Sequence, residues 1–166
     1  MTLSLVPISK SIQKLPFDCG YAILNDYFHL YAYKNDQLAI GKTFIAMTDD
    51  KIVAGYNTLS IAQIEAASLP DTMRSNLPRY PVPAFRIGKL AVDRRCQGSG
   101  VGAWLLRAAF EKAISISASV GLYAVLVDAI DEKAKGFYSR FGFIPFVEHP
   151  LRLFLPLATI ASAIAK

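Results

Sequence analysis

The amino-acid sequence predicts a mixed α/β protein that forms a single domain over residues 1–166. Three observations favour this fold class: antiparallel hairpin patterns lie in the first half, strand and helix patterns alternate in the second half, and the composition is typical of a globular protein. The chain has 166 residues, of which 53% are hydrophobic, and one sizeable core can form at this length. No internal repeat, low-complexity tract or long linker divides the sequence.

The N-terminal region predicts one strand followed by one helix. Leu3, Leu5 and Pro7 indicate the strand. Asp18 then precedes a segment of helical periodicity at residues 19–33, and its carboxylate is expected to cap the first turn. The apolar residues at helical spacing are Ile23, Leu24, Tyr27, Phe28, Leu30 and Tyr31.

A hairpin and a surface segment come next. Residues 43–47 and 52–60 favour two strands, which the turn at residues 49–51 connects. Residues 61–83 are polar and contain four prolines. They are expected to form a short helix and a loop over the surface.

The second half of the chain predicts alternating strands and helices. A helix is expected from Val101, because four apolar residues follow one another on a single face; these are Val101, Leu105, Ala109 and Ala113. Asp131 is expected to open a shorter helix that runs through Ser139. The strands are expected at residues 84–92, 122–127, 141–146 and 151–155.

Several classes of protein are disfavoured by the chain's ends and its cysteines. The N-terminus lacks the pattern of a secretory signal. Residues 151–165 contain Arg152 and Pro156, which favours a packed strand and a short terminal helix over a membrane span. Cys19 and Cys96 do not form a metal-type pair. No metal and no membrane are therefore expected, and the two thiols are expected to be reduced in a cytoplasmic protein.

The whole chain has a net charge of +5, and its positive charge is concentrated in the middle of the sequence. Between residues 74 and 95 the only acid is Asp93. The basic residues there are Arg74, Arg79, Arg86, Lys89, Arg94 and Arg95. Such a cluster indicates a positive face for a phosphate-bearing cofactor or an RNA, and the alternative is a solvated face without a ligand.

A glycine-rich loop at residues 97–102 lies between a predicted strand and a predicted helix. Glycines let the backbone approach a ligand closely, and the start of a helix offers unpaired N–H groups and a positive dipole. The pattern therefore favours a pyrophosphate site, although a plain tight turn is the alternative. No Lys-Ser/Thr pair follows Gly102, and the spacing also differs from the dinucleotide fingerprint.

Two ordered motifs resemble those of the GNAT superfamily of N-acetyltransferases. Residues 89–102 are similar to its cofactor-binding motif, in which Gln97, Gly100 and Gly102 match the pattern Gln/Arg-x-x-Gly-x-Gly/Ala. Residues 134–143 look like its later segment, where a Tyr precedes a Gly-Phe pair. The resemblance implies the GNAT fold: a central mixed, mostly antiparallel sheet of six to seven strands with a splayed parallel strand pair and flanking helices. It also implies that acetyl-CoA is the co-substrate.

The same resemblance implies roles for individual residues. The strand before the loop would pair with the pantetheine arm of the coenzyme, and a backbone N–H of that strand would face the thioester oxygen. Tyr138 would be the acid for the departing thiolate, with a core aromatic as the alternative role. Asp131 stands where many members have Asn, so a cofactor contact through it is not expected. The expected cofactor-binding residues are Leu90, Ala91, Val92, Arg95, Gln97, Gly98, Ser99, Gly100, Val101 and Gly102.

No general base is evident from the sequence. Glu65, His29 and His149 are each expected to be surface residues. An α-amine, with a pKa of about 8, is partly neutral at pH 7, whereas a lysine ammonium with a pKa of about 10.4 is not. A site without a base therefore favours an α-amine substrate.

Nearly the whole chain resembles a narrower group, the GNAT toxins of bacterial toxin–antitoxin pairs. The segments that carry the resemblance are residues 17–20, 24–28, 83–93 and 137–143. It implies acetylation of the α-amine of aminoacyl-tRNA, which blocks translation, and a ribbon-helix-helix antitoxin through which operator DNA is bound. Members are often homodimers. The residues expected to bind tRNA are Arg74, Arg79, Arg86, Lys89 and Arg94.

Two other functions are compatible with the sequence. A GNAT N-acetyltransferase acting on a protein or small-molecule amine would not depend on RNA. A binding module without catalysis would hold acetyl-CoA and act through a partner, but it would not need an acid such as Tyr138 at the sulfur.

Overall fold

The computed structural model describes residues 1–164, and it confirms the mixed α/β class. Seven strands form one sheet in the order β1-β2-β3-β4-β5-β7-β6. The strands are β1 Leu3–Pro7, β2 Lys42–Thr48, β3 Val53–Ile64, β4 Val82–Val92, β5 Ala124–Asp128, β6 Ile144–Pro145 and β7 Arg152–Pro156. The α-helices are α1 Ala22–Asp26, α2 Ala32–Gln37, α3 Asp71–Arg74, α4 Val101–Ser117, α5 Glu132–Arg140 and α6 Leu157–Ile164.

The strand pairings are mixed, as expected. The pairs β1–β2, β2–β3, β5–β7 and β6–β7 are antiparallel. Strands β4 and β5 are parallel, with Ala84 opposite Ala124 and Ile87 opposite Val127. This register ends at Ile87, although β4 continues to Val92. The splayed parallel pair that the sequence predicted corresponds to this early end of the pairing.

The chain divides into two compact units. Unit 1 contains residues 1–60 and 88–109, and unit 2 contains residues 61–87 and 110–166. Strands β3 and β4 and helix α4 each contribute residues to both units.

The core of unit 1 is aromatic. The Phe17 and Phe28 rings lie 4.9 Å apart, and Tyr56 lies 5.4 Å from Phe17. The Tyr56 hydroxyl donates to the Leu24 carbonyl oxygen at 2.7 Å, which satisfies the polar end of a fully buried side chain. Burial raises the pKa of Tyr56, so its hydroxyl stays protonated. These contacts fix the N-terminal helical segment against β3.

That helical segment differs from the prediction in its start and its regularity. It begins at Ala22 rather than near residue 19, and a π-helical turn, Tyr27–Tyr31, lies between α1 and α2. The predicted cap was wrong: Tyr21 occupies the N-cap position, and its side chain does not cap the helix. The Asp18 carboxylate instead accepts hydrogen bonds from the Gly20 N–H and the Asn25 amide, both at 2.9 Å. The chain turns at Gly20, whose φ is +94°, so Asp18 lies too early to reach the first helical turn.

The start of α4 packs closely against β3 in unit 1. A Cβ atom on Gly55 would lie 2.6 Å from the Ala91 carbonyl oxygen and 2.9 Å from a Leu105 methyl carbon. Only glycine permits this approach. Val101, Leu105 and Ala109 of the predicted helical face are buried, so this prediction is confirmed for unit 1. Ala113, which continues the face in unit 2, is buried as well.

Unit 2 is organised around β5 and β7. Its core cluster consists of Ile64, Leu69, Val82, Ala84, Ala124, Leu126, Phe146 and Phe154. The segment at residues 61–83 is less loop-like than predicted, because β3 continues to Ile64 and Leu69 is only 1% exposed. The expected short helix is present as α3. Burying Ile64 and Leu69 anchors this segment through the hydrophobic effect.

The end of α5 shortens the strand that follows it. Phe141 is the C-cap of α5, and Gly142 adopts a φ of +92°, a common way for helices to end. Strand β6 is therefore confined to Ile144–Pro145 instead of residues 141–146. Strand β7 and the terminal helix α6 agree with the prediction; Ala165, at the end of the predicted tail segment, lies outside the described residues.

Candidate active site

The glycine-rich loop of unit 1 joins a 3-10 turn, Arg94–Cys96, to α4. Gly98 and Gly100 have φ angles of +81° and +87°, a region that other residues rarely adopt. A Cβ atom on either glycine would meet nothing within 4 Å. The glycines are thus required by backbone conformation, and the space above them is open.

This loop presents a row of unpaired backbone donors. Within the described residues 1–164, no N–H group of residues 98–102 donates to a protein acceptor. The Gly100 carbonyl oxygen accepts from the Trp104 N–H at 3.0 Å and thereby begins the ladder of α4. Free N–H groups at the start of a 17-residue helix form a site for an anion such as a pyrophosphate.

The loop's polar side chains hold its backbone in place. The Gln97 amide donates to the Cys19 and Val92 carbonyl oxygens, both at 3.0 Å. The Ser99 hydroxyl donates to the Cys96 carbonyl oxygen. Because both side chains bond the protein's own backbone, these residues can bind a cofactor through their main chain.

A buried carboxylate lies directly before the loop. Asp93 is 2% exposed and accepts hydrogen bonds from the backbone N–H groups of Asp18 and Arg95 at 3.0 and 2.9 Å. The Arg95 guanidinium contacts both of its oxygens, at 2.8 and 3.1 Å. Burial opposes ionisation of Asp93, but the Arg95 side chain and the two backbone donors outweigh it and lower the pKa of Asp93.

This pairing changes the interpretation of Arg95. The sequence placed it among the cofactor-binding residues, and its side chain instead joins Asp93 and contacts the Pro16 carbonyl oxygen at 3.4 Å. The Arg95 guanidinium is half exposed. Its contacts link the N-terminal segment to the base of the glycine-rich loop.

The backbone that is expected to bind pantetheine, Leu90–Val92, forms the end of β4 in unit 1. Leu90 and Val92 are half-buried and Ala91 is buried. The Asp93 N–H donates to the Ala54 carbonyl oxygen at 2.8 Å, which attaches the end of β4 to β3. The register with β5 has already ended at Ile87.

Tyr138 lies in unit 2, on α5. The ring is 5% exposed and makes edge contacts with Phe137 and Phe143 at centroid distances of 5.2 and 5.5 Å. Among the described residues, the enclosed side-chain polar atoms without a partner are Asn57 Oδ1 and Arg86 Nε. The Tyr138 hydroxyl also has no protein partner, but it is not one of these enclosed atoms. It therefore keeps contact with solvent.

The surroundings of Tyr138 keep its hydroxyl protonated. Burial raises the pKa of Tyr138, and the negative charge of Asp128 raises it further. A buried ring with a protonated, solvent-contacting hydroxyl can donate a proton or a hydrogen bond to a bound group. The aromatic contacts fix the ring in a core position, and the role of its hydroxyl as an acid stays a prediction.

The other titratable residues singled out in the sequence have structural or surface positions. The Asp131 carboxylate caps α5 by accepting from the Ala134 N–H at 2.8 Å, as predicted. His29 is half-buried, with its ring nitrogens 3.0 Å from the Gln13 and 3.3 Å from the Phe17 carbonyl oxygen. Glu65 and His149 are exposed. Of these, only His29 departs from the predicted surface position.

Most of the expected RNA-binding residues contact a neighbouring group. Arg74 pairs with Asp71, and Arg94 lies 3.5 Å from Asp18. The Lys89 ammonium lies 4.5 Å above the Tyr27 ring. These contacts reduce the local excess of positive charge, because the acids come from parts of the sequence outside residues 74–95. Arg79 is exposed.

An arginine pair in unit 2 consists of Arg86 and Arg152, and the sequence did not single out Arg152 for a function. Arg86 Nη2 donates to one oxygen of Asp128 at 2.8 Å, and Arg152 Nε donates to the other at 2.9 Å. The sequence offered only a weak signal for this pair, namely an acid, Asp128, at the end of a strand that was predicted to be buried.

Within the described residues no cluster of His, Cys, Asp and Glu fits a metal ion. Over the same residues, none of the helices has the length and hydropathy needed to cross a membrane.

Comparisons with known proteins agree with this geometry. Residues 39–145 match the model of the acetyltransferase (GNAT) domain. A tRNA-acetylating toxin of Mycobacterium tuberculosis is 34% identical over 148 residues, covering 89% of this chain and 88% of the relative. A probable toxin TacT of Sinorhizobium fredii is 30% identical over 155 residues, covering 88% of this chain and 86% of the relative.

Three solved structures are similar over almost their entire length. AtaT complexed with acetyl-methionyl-tRNAfMet has a TM-score of 0.88 at 32% identity, covering 98% of this chain and 99% of that one. A tyrosine-to-phenylalanine mutant of AtaT, bound to the C-terminus of the antitoxin AtaR and acetyl-CoA, has a TM-score of 0.82 at 28% identity, covering 99% of each chain. The KacTA–DNA complex has a TM-score of 0.82 at 29% identity, again covering 99% of each chain.

Proposed function

The chain belongs to the GNAT family of acetyltransferases, and on this premise we propose that it is a toxin that transfers the acetyl group of acetyl-CoA to the α-amine of aminoacyl-tRNA. Modification of that amine blocks translation, because the amine is the nucleophile of peptide-bond formation. A further part of the proposal is that residues 1–166 act as one acetyltransferase domain.

The row of free N–H groups at residues 98–102 is the observation that most supports the cofactor. Gly98 and Gly100 leave open space beside these donors, and the dipole of α4 favours negative charge there. We assign the pyrophosphate of acetyl-CoA to this loop. The backbone of Leu90–Val92 would hold the pantetheine arm by strand-like pairing. Arg95 would contribute by fixing the loop through Asp93.

Acetyl-CoA supplies an activated acetyl group as a thioester. The protein would then need to hold a proton ready for the departing sulfur, and Tyr138 Oη carries one because its raised pKa keeps the phenol neutral. A backbone N–H of Leu90–Val92 would donate to the thioester oxygen. We assign no general base, since an α-amine with a pKa of about 8 is partly neutral near pH 7.

The acceptor is assigned from the relatives and from the charge of the chain. The chain covers 88% of the length of a tRNA-acetylating toxin, and it aligns along 99% of AtaT complexed with acetyl-methionyl-tRNAfMet. A net charge of +5 attracts a polyanion. The proposed tRNA-contacting residues are Arg74, Arg79, Arg86, Lys89 and Arg94.

The partners follow from the same similarity. AtaT binds the C-terminus of the antitoxin AtaR, and KacTA forms a complex with DNA. We propose that this chain is a homodimer that binds a ribbon-helix-helix antitoxin, and that operator DNA is contacted through that antitoxin. The proposed compartment is the cytoplasm, where charged tRNA is present.

The test is transfer of labelled acetyl from acetyl-CoA to bulk charged tRNA, with deacylated tRNA as the control. Label is expected only on the charged pool, and it should be retained on the amino acid after the ester bond is hydrolysed. No label on charged tRNA, with acetyl-CoA binding intact, would reject the toxin function. Acceptance of label by proteins or small amines without RNA would establish the alternative, a GNAT enzyme of that substrate class.

A further inference from the structure

The paired arginines of unit 2, Arg86 and Arg152, share the carboxylate of Asp128. In the β4–β5 register Arg86 lies opposite Leu126, and Asp128 lies two residues further along β5 on the same face. In the β5–β7 register Asp128 lies directly opposite Arg152. Three adjacent strands therefore place these side chains next to each other.

The charges of this cluster do not cancel. Two guanidinium groups face one carboxylate, which leaves one formal positive charge. The Arg86 and Arg152 side chains are 41% and 47% exposed, whereas Asp128 is 30% exposed. The two cations are therefore more exposed to solvent than the acid that they share.

Most of the hydrogen-bond donors in the cluster are unused. A guanidinium has five N–H donors, and each arginine makes one hydrogen bond, to Asp128. Within residues 1–164 the remaining donors have no protein acceptor. Arg86 Nε is moreover enclosed without a partner, and an enclosed donor without an acceptor is unfavourable.

We propose that Arg86 and Arg152 form a binding site for a phosphate group of the RNA substrate. Guanidinium groups bind phosphate through two parallel N–H···O bonds, and Asp128 orients both arginines before the ligand arrives. The inference rests on the proposed function, because it assigns the RNA to a position on this enzyme. It also adds Arg152 to the RNA-binding residues.

The position of the cluster agrees with a substrate site. Asp128 acts electrostatically on Tyr138 within the same unit, second to the effect of burial. Asp128 ends β5, and helix α5 with Tyr138 begins four residues later at Glu132. A phosphate held by Arg86 and Arg152 would therefore lie at the end of the strand that leads into the helix of the proposed acid. The 3′ end of a charged tRNA carries its amine on the same terminal nucleoside as its last 5′-phosphate, so a phosphate site on this unit is compatible with the substrate.

The experiment measures binding of deacylated tRNA to the full chain by fluorescence anisotropy at several KCl concentrations. Arg152→Gln and Arg86→Gln are each expected to weaken binding by about tenfold. They are also expected to reduce the slope of log K against log salt concentration by about one. Arg107→Gln, which removes an exposed arginine of α4, is the control with the same loss of charge and should change affinity much less. Arg152→Lys should restore part of the affinity, since it keeps the charge without the planar donor pair.

Three further measurements separate the outcomes. Acetyl-CoA affinity, measured by calorimetry, should be the same in all variants; an equal loss there would assign the arginines to a coenzyme phosphate and overturn the inference. Unchanged tRNA affinity and salt slope, or losses that follow only a lower Tm, would also overturn it. If wild-type protein neither binds tRNA nor acetylates charged tRNA, the proposed function fails as well. If wild type does both and the variants match it, this inference alone fails.

Discussion

Tyr138 has a ring that aromatic neighbours hold and a hydroxyl that has no protein partner and keeps contact with solvent. Buried tyrosine hydroxyls usually bond to a protein group, as Tyr56 does with Leu24. The contrast between these two tyrosines supports the proposal that the Tyr138 hydroxyl donates to a bound group. The sequence could not distinguish the two residues, because the partner of Tyr56 lies 32 positions away.

Tyr138→Phe should therefore lower kcat by about 100-fold or more, which is the usual contribution of a proton donor. The ring contacts remain, so the variant should keep the Tm and the acetyl-CoA affinity of wild type. Steady-state kinetics with charged tRNA test the first expectation, and calorimetry tests the second. Retention of full activity by the folded variant would rule out the assigned role.

At the loop, Gly100→Ala should weaken acetyl-CoA binding. Its φ of +87° is strained for alanine by about 1–2 kcal/mol, although the added methyl meets no atom within 4 Å. If the loop relaxed to relieve that strain, its N–H groups would no longer point toward one ligand position. A loss of that size corresponds to an approximately tenfold rise in the Kd for acetyl-CoA. Gly121→Ala, at a glycine without a positive φ, is the control, and equal Kd values for the two variants would contradict the prediction.

At the scale of elements, helix α4, which follows the glycine-rich loop, packs closely against β3. Gly55 allows the backbone at Ala91 and the side chain of Leu105 to approach it closely. The sequence predicted both elements, but it gave no sign that a glycine near the start of β3 was needed for their packing. Such a need arises only when three segments, distant in the chain, meet in space.

Gly55→Ala should destabilise the protein by about 1–3 kcal/mol, which is typical for overpacking. At this chain length that corresponds to a fall in Tm of about 2–4 °C for each kcal/mol. Gly136→Ala is the matched control, because Gly136 lies within α5 and an added Cβ there meets nothing within 4 Å. The control should gain about 0.5–1 kcal/mol. Thermal unfolding of both variants checks the prediction, which fails if Gly55→Ala is as stable as wild type.

At the scale of the whole molecule, Asp93 connects the N-terminal segment to the loop and makes the stability dependent on pH. The folded state lowers the pKa of Asp93 below its unfolded value. Its ionised form therefore contributes stability above an unfolded pKa of about 3.9. That contribution is lost as the pH falls through the folded pKa, when the carboxylate becomes protonated and its donors lose their acceptor.

The free energy of unfolding should accordingly decrease as the pH is lowered below about 4. Asp93→Asn should be less stable by about 1.5–3 kcal/mol at pH 7, because its amide cannot accept from all of the Asp93 donors. It should also show a shallower decrease in acid. Urea unfolding between pH 3 and 7 measures both effects. Asp50→Asn, in the exposed turn between β2 and β3, should follow wild type, and a wild-type curve for Asp93→Asn would refute the argument.

The sequence by itself determined the order of elements, the glycine-rich loop and the family. These features depend on local patterns: apolar periodicity, turn residues, and glycines between a strand and a helix. It also predicted the helix that carries Tyr138 and its start at Asp131, since both depend on a short motif. Local patterns were less successful at residues 19–33, where a π-helical turn and the bend at Gly20 moved the helix and left Asp18 outside it.

Only the tertiary structure decided which charges remain available. In the sequence, residues 74–95 form one basic cluster with a single acid. In the fold, Asp71, Asp18 and Asp128 pair with Arg74, Arg94 and Arg86, and Arg152 joins Arg86 from a strand 66 positions later in the chain. Coulomb interactions depend on distance in space and not on separation in sequence. For that reason the partners of each arginine, and the donors left for a ligand, follow from strand register and not from the order of residues.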